Sequence, residues 1–218
     1  MLSTLSRILA VQFAVLAPVA FSTPLAAHPH VWVSVETTVV YENGRITGFQ
    51  NRWTFDEGYT AMAIEGLDAN NDGLYDRSEL AELAQVNIDG LKEFNYFTYA
   101  KLNDTPLQIG APRDYWLDHK DGILSLNFFL PLNEPVLASA PGFTFQIFDP
   151  TYFIAFDLAE KDPVRLADGA PPECRVDIGV PPSETAEVER LGEAFFQQFG
   201  GDIGVSLSKT VAINCTSS

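Results

Sequence analysis

The chain has 218 residues, a formal net charge of −16 and an apolar share of 46%. A field of that sign repels phosphate backbones and anionic membrane surfaces, which excludes nucleic acid as a partner and favours cations. With 16 Phe, 7 Tyr and 3 Trp there is enough large apolar surface for one packed core, which excludes a disordered or fibrous chain.

Arg7, the apolar run Ile8 to Val19 and the small residues Ala26 and Ala27 predict a secretion signal over residues 1–27. The run is too short to span a bilayer comfortably, so the expected product is a single periplasmic domain, 28–218, without membrane insertion after cleavage. In that oxidising compartment Cys174 and Cys215, the 2 cysteines of the chain, are expected to pair as a disulfide and not to hold a metal.

Val31, Val33, Val35, Thr37 and Val39 alternate with Trp32, Ser34, Glu36 and Thr38, the period of a half-buried strand. Glu42-Asn43-Gly44-Arg45 predicts a tight hairpin turn, with Ile46 to Trp53 as the returning strand. From Asp56 the period becomes helical, carried by Phe55, Tyr59, Met62, Ala63 and Leu67. A second helix is expected from Arg77 to about Gly90, with Leu80, Leu83, Ala84, Asn87 and Leu91 on one stripe. The two helices and their loop form an insert over 55–91.

Aromatic runs at Phe94 to Leu102, Ile123 to Leu130, Phe143 to Phe148 and Tyr152 to Leu158, separated by turn signals, predict further antiparallel strands. Pro181-Pro182-Ser183 opens a predicted amphipathic helix with Val188, Leu191, Phe195 and Phe199 on its apolar face, stopped at Gly200-Gly201. A last strand pair is expected from Ile203 to Cys215. The expected class is α+β: an antiparallel β-sandwich-like domain with a helix-loop-helix insert of the EF-hand type and a C-terminal amphipathic helix.

The loop from Asp68 to Glu79 fits the twelve-residue EF-hand pattern at every diagnostic position. Calcium is a hard cation that takes about seven oxygens. Asp68, Asn70 and Asp72 would supply side-chain oxygens, Leu74 its carbonyl, Asp76 an oxygen directly or through water, and Glu79 both carboxylate oxygens. Gly73 stands at the sixth position, where the chain must turn in a way that a Cβ opposes. Such hands usually occur in pairs joined through an apolar eighth residue; here one copy carries Tyr75 at that place.

His28 and His30 flank Pro29 at the expected mature start, and in an extended segment residues i and i+2 point to one side. Neutral imidazole suits zinc, nickel or cobalt, so the pair is a candidate transition-metal site, with His119 as a third candidate ligand and Asp149 as a possible oxygen donor. Neither a Gly-x-Ser-x-Gly nucleophile motif nor a phosphate-cradling Gly-rich loop is present, and no enzymatic activity is expected.

His28-Pro29-His30-Val31-Trp32-Val33, Trp53-Thr54-Phe55-Asp56-Glu57, the Asp68 to Glu79 loop, Glu93-Phe94-Asn95-Tyr96-Phe97, Asp149-Pro150-Thr151-Tyr152-Phe153 and Cys174 together resemble a family described as the periplasmic component of an ABC-type transport system. The resemblance implies coupling to a membrane permease for nickel, cobalt or zinc. The expected function is then a divalent-metal-binding accessory protein of a transport system, with calcium in the loop. The alternative is an interaction or adhesion module that calcium only stiffens.

Overall fold

The structure, a computed structural model, describes residues 29–181 and 208–215. The signal, His28, the C-terminal helix and the first part of the last strand pair lie outside those residues.

Strand β1 (Val31–Glu42) turns its odd-numbered residues inward, and its partner β2 (Arg45–Phe55) follows after a two-residue turn in which Asn43 and Gly44 have φ of 51° and 72°. That is the conformation an Asn-Gly hairpin favours, because its twist matches that of the flanking strands. A second turn of the same kind, Asp121-Gly122 at φ 54° and 81°, joins β5 (Arg113–Lys120) to β6 (Ile123–Leu137). The first sheet has the order β5-β6-β2-β1-β8, with β8 at Ile154–Leu158 and with β9 (Val164–Leu166) also pairing β1. The second has the order β10-β11-β7-β3-β4, from Arg175–Ile178, Val211–Asn214, Phe143–Ile147, Thr98–Leu102 and Thr105–Pro106.

The two sheets share one core. Phe49 of β2 places its ring 4.8 Å from that of Phe145 and 6.2 Å from that of Phe143, both on the opposite sheet, and Phe156 of β8 meets Phe97 at 5.2 Å. Trp53 is 1% exposed and lies edge-on to Phe128 and Phe156. Within this apolar interior Thr37 donates to the Asn51 side-chain oxygen at 2.7 Å, as a buried polar group must.

The mostly β, sandwich-like reading holds, but the purely antiparallel one does not: β8 and β9 both run parallel to β1. Alternation reports which face of a strand is buried and carries no information on the direction of its partner. The strand expected from Phe94 starts at Thr98, because Asn95, Tyr96 and Phe97 take positive φ of 52°, 52° and 49°. The helices are shorter than their periodicity suggests. The first, α1, spans Glu57–Ala63, and the second, α2, spans Ala81–Leu91, with residues 77–80 in a turn before it. Among the described residues β11 pairs with β7 and β10 and not with a neighbour inside the last segment.

Cys174 and Cys215 are bonded, closing a separation of 41 residues at the point where β10 begins and β11 ends. No helix among the described residues is long and apolar enough to cross a membrane. Replacing Cys215 by Ser is expected to lower unfolding stability by about 2–5 kcal/mol in urea titrations, the range for a disulfide closing a loop of this size. A reductant should remove the same increment from the wild-type chain.

Candidate calcium loop and its surroundings

Asp56 fixes the entrance to the insert. One of its carboxylate oxygens accepts the Tyr59 N–H at 2.9 Å and so caps α1, while the other accepts the Trp32 N–H of β1 at 2.8 Å. Burial pulls this carboxyl upward, but the backbone N–H groups of Trp32, Tyr59 and Gly58 outweigh burial and hold it below the ordinary aspartate value.

Beyond α1 the loop folds its acidic oxygens onto its own backbone. Asp68 accepts the N–H groups of Asp72 at 3.1 Å and Gly73 at 3.0 Å, Asn70 accepts that of Asp72 at 2.8 Å, and Asp72 accepts that of Leu74 at 2.8 Å. Asp76 accepts the Ser78 and Glu79 N–H groups at 2.7 and 3.0 Å, opening the turn that leads into α2. The Ser78 hydroxyl and these two N–H groups hold the Asp76 carboxyl below its ordinary value. Glu79 closes the ring: one of its oxygens accepts the Ala69 N–H at 3.0 Å and the other accepts the Asp76 N–H at 3.1 Å. Gly73 has φ +77°, so the sixth position is where the chain takes the left-handed turn that its lack of Cβ permits.

The structure therefore gathers Asp68, Asn70, Asp72, Asp76 and Glu79 around one closed, exposed turn, with the Leu74 backbone among them. The donor set is all hard oxygen, suited to calcium and poorly suited to zinc or nickel. Among the described residues no three His, Cys, Asp or Glu side chains converge as a metal-holding group. In the loop this follows from the hydrogen bonds above, which turn the carboxylates to backbone N–H donors instead of to a common centre.

The lone loop leans on the edge strand β5. Tyr75 packs edge-on against His119 with ring centroids 4.8 Å apart, and the Arg77 guanidinium lies 4.5 Å over the Trp116 ring. Below the loop, Tyr115 bonds to Gln85 of α2, and Leu80, Ala84 and Ile88 are buried in the core. The strand is itself anchored, since Asp118 accepts Arg52 at 3.0 Å and the Trp116 indole N–H at 3.0 Å. Sequence reasoning missed this dock, because β5 carries no long apolar run and its partners are far away in the chain.

The histidines lie apart. His30 is exposed, donates its N–H to the Phe153 carbonyl at 2.8 Å and packs its ring 4.7 Å from that of Phe153. His119 belongs to β5, three strand intervals from β1 across the sheet order, or about 14 Å. The structure thus does not bring His119 to His30, and His28 lies outside the described residues. Asp149 is 3% exposed, and its oxygens accept the N–H groups of Thr151 and Ile154 at 2.8 and 3.0 Å, so it shapes the corner into β8.

A family model described as "Protein of unknown function (DUF1007)" matches residues 13–215. The chain belongs to that family. Two similar proteins carry no stated activity. An uncharacterised protein of Haemophilus influenzae is 28% identical over 141 residues, which is 65% of this chain and 68% of that protein. An uncharacterised 15.5 kDa protein encoded in the trpE 3' region of Spirochaeta aurantia is 30% identical over 99 residues, 45% of this chain and 70% of that one. Membership of the DUF1007 family covers the whole insert and both cysteines, and leaves function to be argued from the site.

Asp56→Ala removes both the helix cap and the tie to β1. It should cost roughly 1 kcal/mol or more near neutral pH. The direction of its titration fixes the pH window: a carboxyl held below its unfolded value of about 3.9 stabilises the fold above that value. The difference between wild type and variant should therefore be constant well above about pH 4 and shrink as the pH falls through the folded value, read from denaturation midpoints at each pH.

Proposed function

We propose that this protein is an exported divalent-cation-binding protein in which the Asp68 to Glu79 loop holds calcium, serving as an accessory to metal transport with His28 and His30 as the transition-metal ligands. The observation that carries the calcium part is the closed turn itself. Four carboxylates and one amide oxygen are held within one twelve-residue loop, its ends joined by Glu79 and its reversal placed at Gly73. So much like charge in one turn is unfavourable by itself, and a cation of two charges relieves it. Binding would require the carboxylates to leave their N–H partners and turn to the ion.

The transport part rests on the chemistry of His28-Pro29-His30 and on the resemblance of the motifs around it. A second reading, a calcium-stiffened interaction module, is favoured by the Tyr75–His119 and Arg77–Trp116 contacts, which couple the loop to the sheet. They make calcium a means of fixing α2 and β5 together.

Titration calorimetry on the mature chain should detect one calcium site, with magnesium much weaker. Glu79→Gln, which removes one charge and the bidentate closure, should weaken calcium by roughly tenfold or more. Saturating calcium should raise the melting temperature, since a ligand at 100 times its Kd adds about 2.7 kcal/mol. Absence of both heat and thermal shift would overturn the calcium assignment.

Zinc, nickel and cobalt titrations separate the two readings. His28→Ala/His30→Ala should abolish a transition-metal site while leaving calcium binding intact. Unchanged transition-metal binding by that variant would refute the histidine site and leave the module reading in place.

A further inference from the structure

The odd-numbered residues of β1 point into the core, so Trp32, Ser34 and Glu36 stand on the outer face of the larger sheet. Trp32 is 51% exposed there, on a face that is otherwise polar. The strand register sets its neighbours. Asp56 exchanges backbone contacts with Trp32 on one side, and Ala155 of β8 lies opposite it on the other. One step along, Ser34 sits between Thr54 of β2 and Asp157 of β8. Residues paired in this way share a face. Trp32, Ser34, Thr54, Asp56 and Asp157 together line an open hollow of about 250 Å³ whose wall is mostly carbon.

The charges of this face are matched except at the hollow. Glu36 pairs with Arg52 at 3.8 Å and with Arg165 at 3.5 Å, and Arg52 also pairs with Asp118 at 3.0 Å. Asp56 spends its oxygens on the N–H groups of Trp32 and Tyr59. Asp157 differs from both. It is exposed, and among the described residues its carboxylate has neither a hydrogen bond nor an ion pair. Lys209 lines a separate notch with it and forms no ion pair with it.

An indole face attracts a cation through its quadrupole, and a carboxylate attracts the same cation by charge. Trp32 and Asp157 stand diagonally, one strand and two residues apart, which places their Cα atoms roughly 8 Å from each other. Ala155, opposite Trp32, is too short to cover the ring. A group lodged between the two side chains therefore meets the indole on one side and the carboxylate on the other.

We propose that this hollow binds a small methylated ammonium cation, held between the Trp32 ring and the Asp157 carboxylate. Calcium takes about six to eight oxygens, more than the free groups here supply. A primary ammonium is strongly hydrated and keeps its water, whereas methyl groups on nitrogen set carbon against the carbon wall. The hollow is below the usual size of pockets for drug-sized ligands, which fits a small cation. The proposal rests on neither the calcium loop nor the histidines.

The test is titration of the mature chain with choline in excess calcium, followed by calorimetry and by the indole N–H signals in proton–nitrogen NMR spectra. One saturable site that shifts the Trp32 signal is expected. The uncharged isostere 3,3-dimethyl-1-butanol, with carbon in place of nitrogen, should bind about tenfold more weakly. Trp32→Leu keeps an apolar side chain and removes the quadrupole, so it should weaken choline about fivefold or more and leave the isostere nearly unchanged. Asp157→Asn should weaken choline in the same selective way. Both side chains are exposed, so the melting temperatures of the two variants should stay near that of the wild type. Absence of saturable choline binding, an isostere that binds as tightly as choline, or full choline affinity in either variant would each overturn the proposal. A methyl glucoside that shifts the Trp32 signal where choline does not would overturn it in favour of a sugar site.

Discussion

The burial of the inner face of β2 holds the molecule together. Ile46, Phe49 and Trp53 lie on that strand with at most 1% of their surface exposed, and the strand sits between β1 and β6 in the middle of the larger sheet. Phe49 reaches across to the opposite sheet, Trp53 packs against β6 and β8, and Phe55 stacks on Tyr59 of α1 at 4.5 Å. Each of these side chains removes an area of order 150–250 Å² from water, which outweighs any single polar contact here. The insert hangs from the end of the same strand through Asp56, so the position of the acidic loop is inherited from the core.

What was legible in the chain were the features whose causes are local. The first hairpin could be read because Asn43-Gly44 takes positive φ at little cost, and β1 because its valines alternate. The reversal at Gly73 could be read because the chain there takes a positive φ that a residue without Cβ permits. Features decided by distant partners were not legible. The parallel pairing of β8 and β9 with β1 depends on how the chain crosses between sheets at the Asp149 corner. Likewise the left-handed run at residues 95–97 is overruled locally by tertiary packing, since Tyr96 and Phe97 are buried and Asn95 donates to the Thr98 carbonyl. The dock of Tyr75 on His119 joins residues 44 positions apart in a chain whose periodicity says nothing of them, and it gives His119 a role in packing the loop.

The acidic loop leads into the first turn of α2. The helix begins at Ala81, two residues after Glu79, and ends at Leu91. Movement of the acidic side chains from backbone N–H groups to an ion would act on the turn at residues 77–80, where Leu80 is fully buried against the core.

The bond between Cys174 and Cys215 encloses the whole stretch of chain that joins β10 to β11. A protease cutting once anywhere inside that ring produces two polypeptides that still migrate as one, and the small piece keeps its strand hydrogen-bonded to β7. The product separates only when a thiol is added. A single cut there would thus leave the pairing of β11 with β7 in place until the disulfide is reduced.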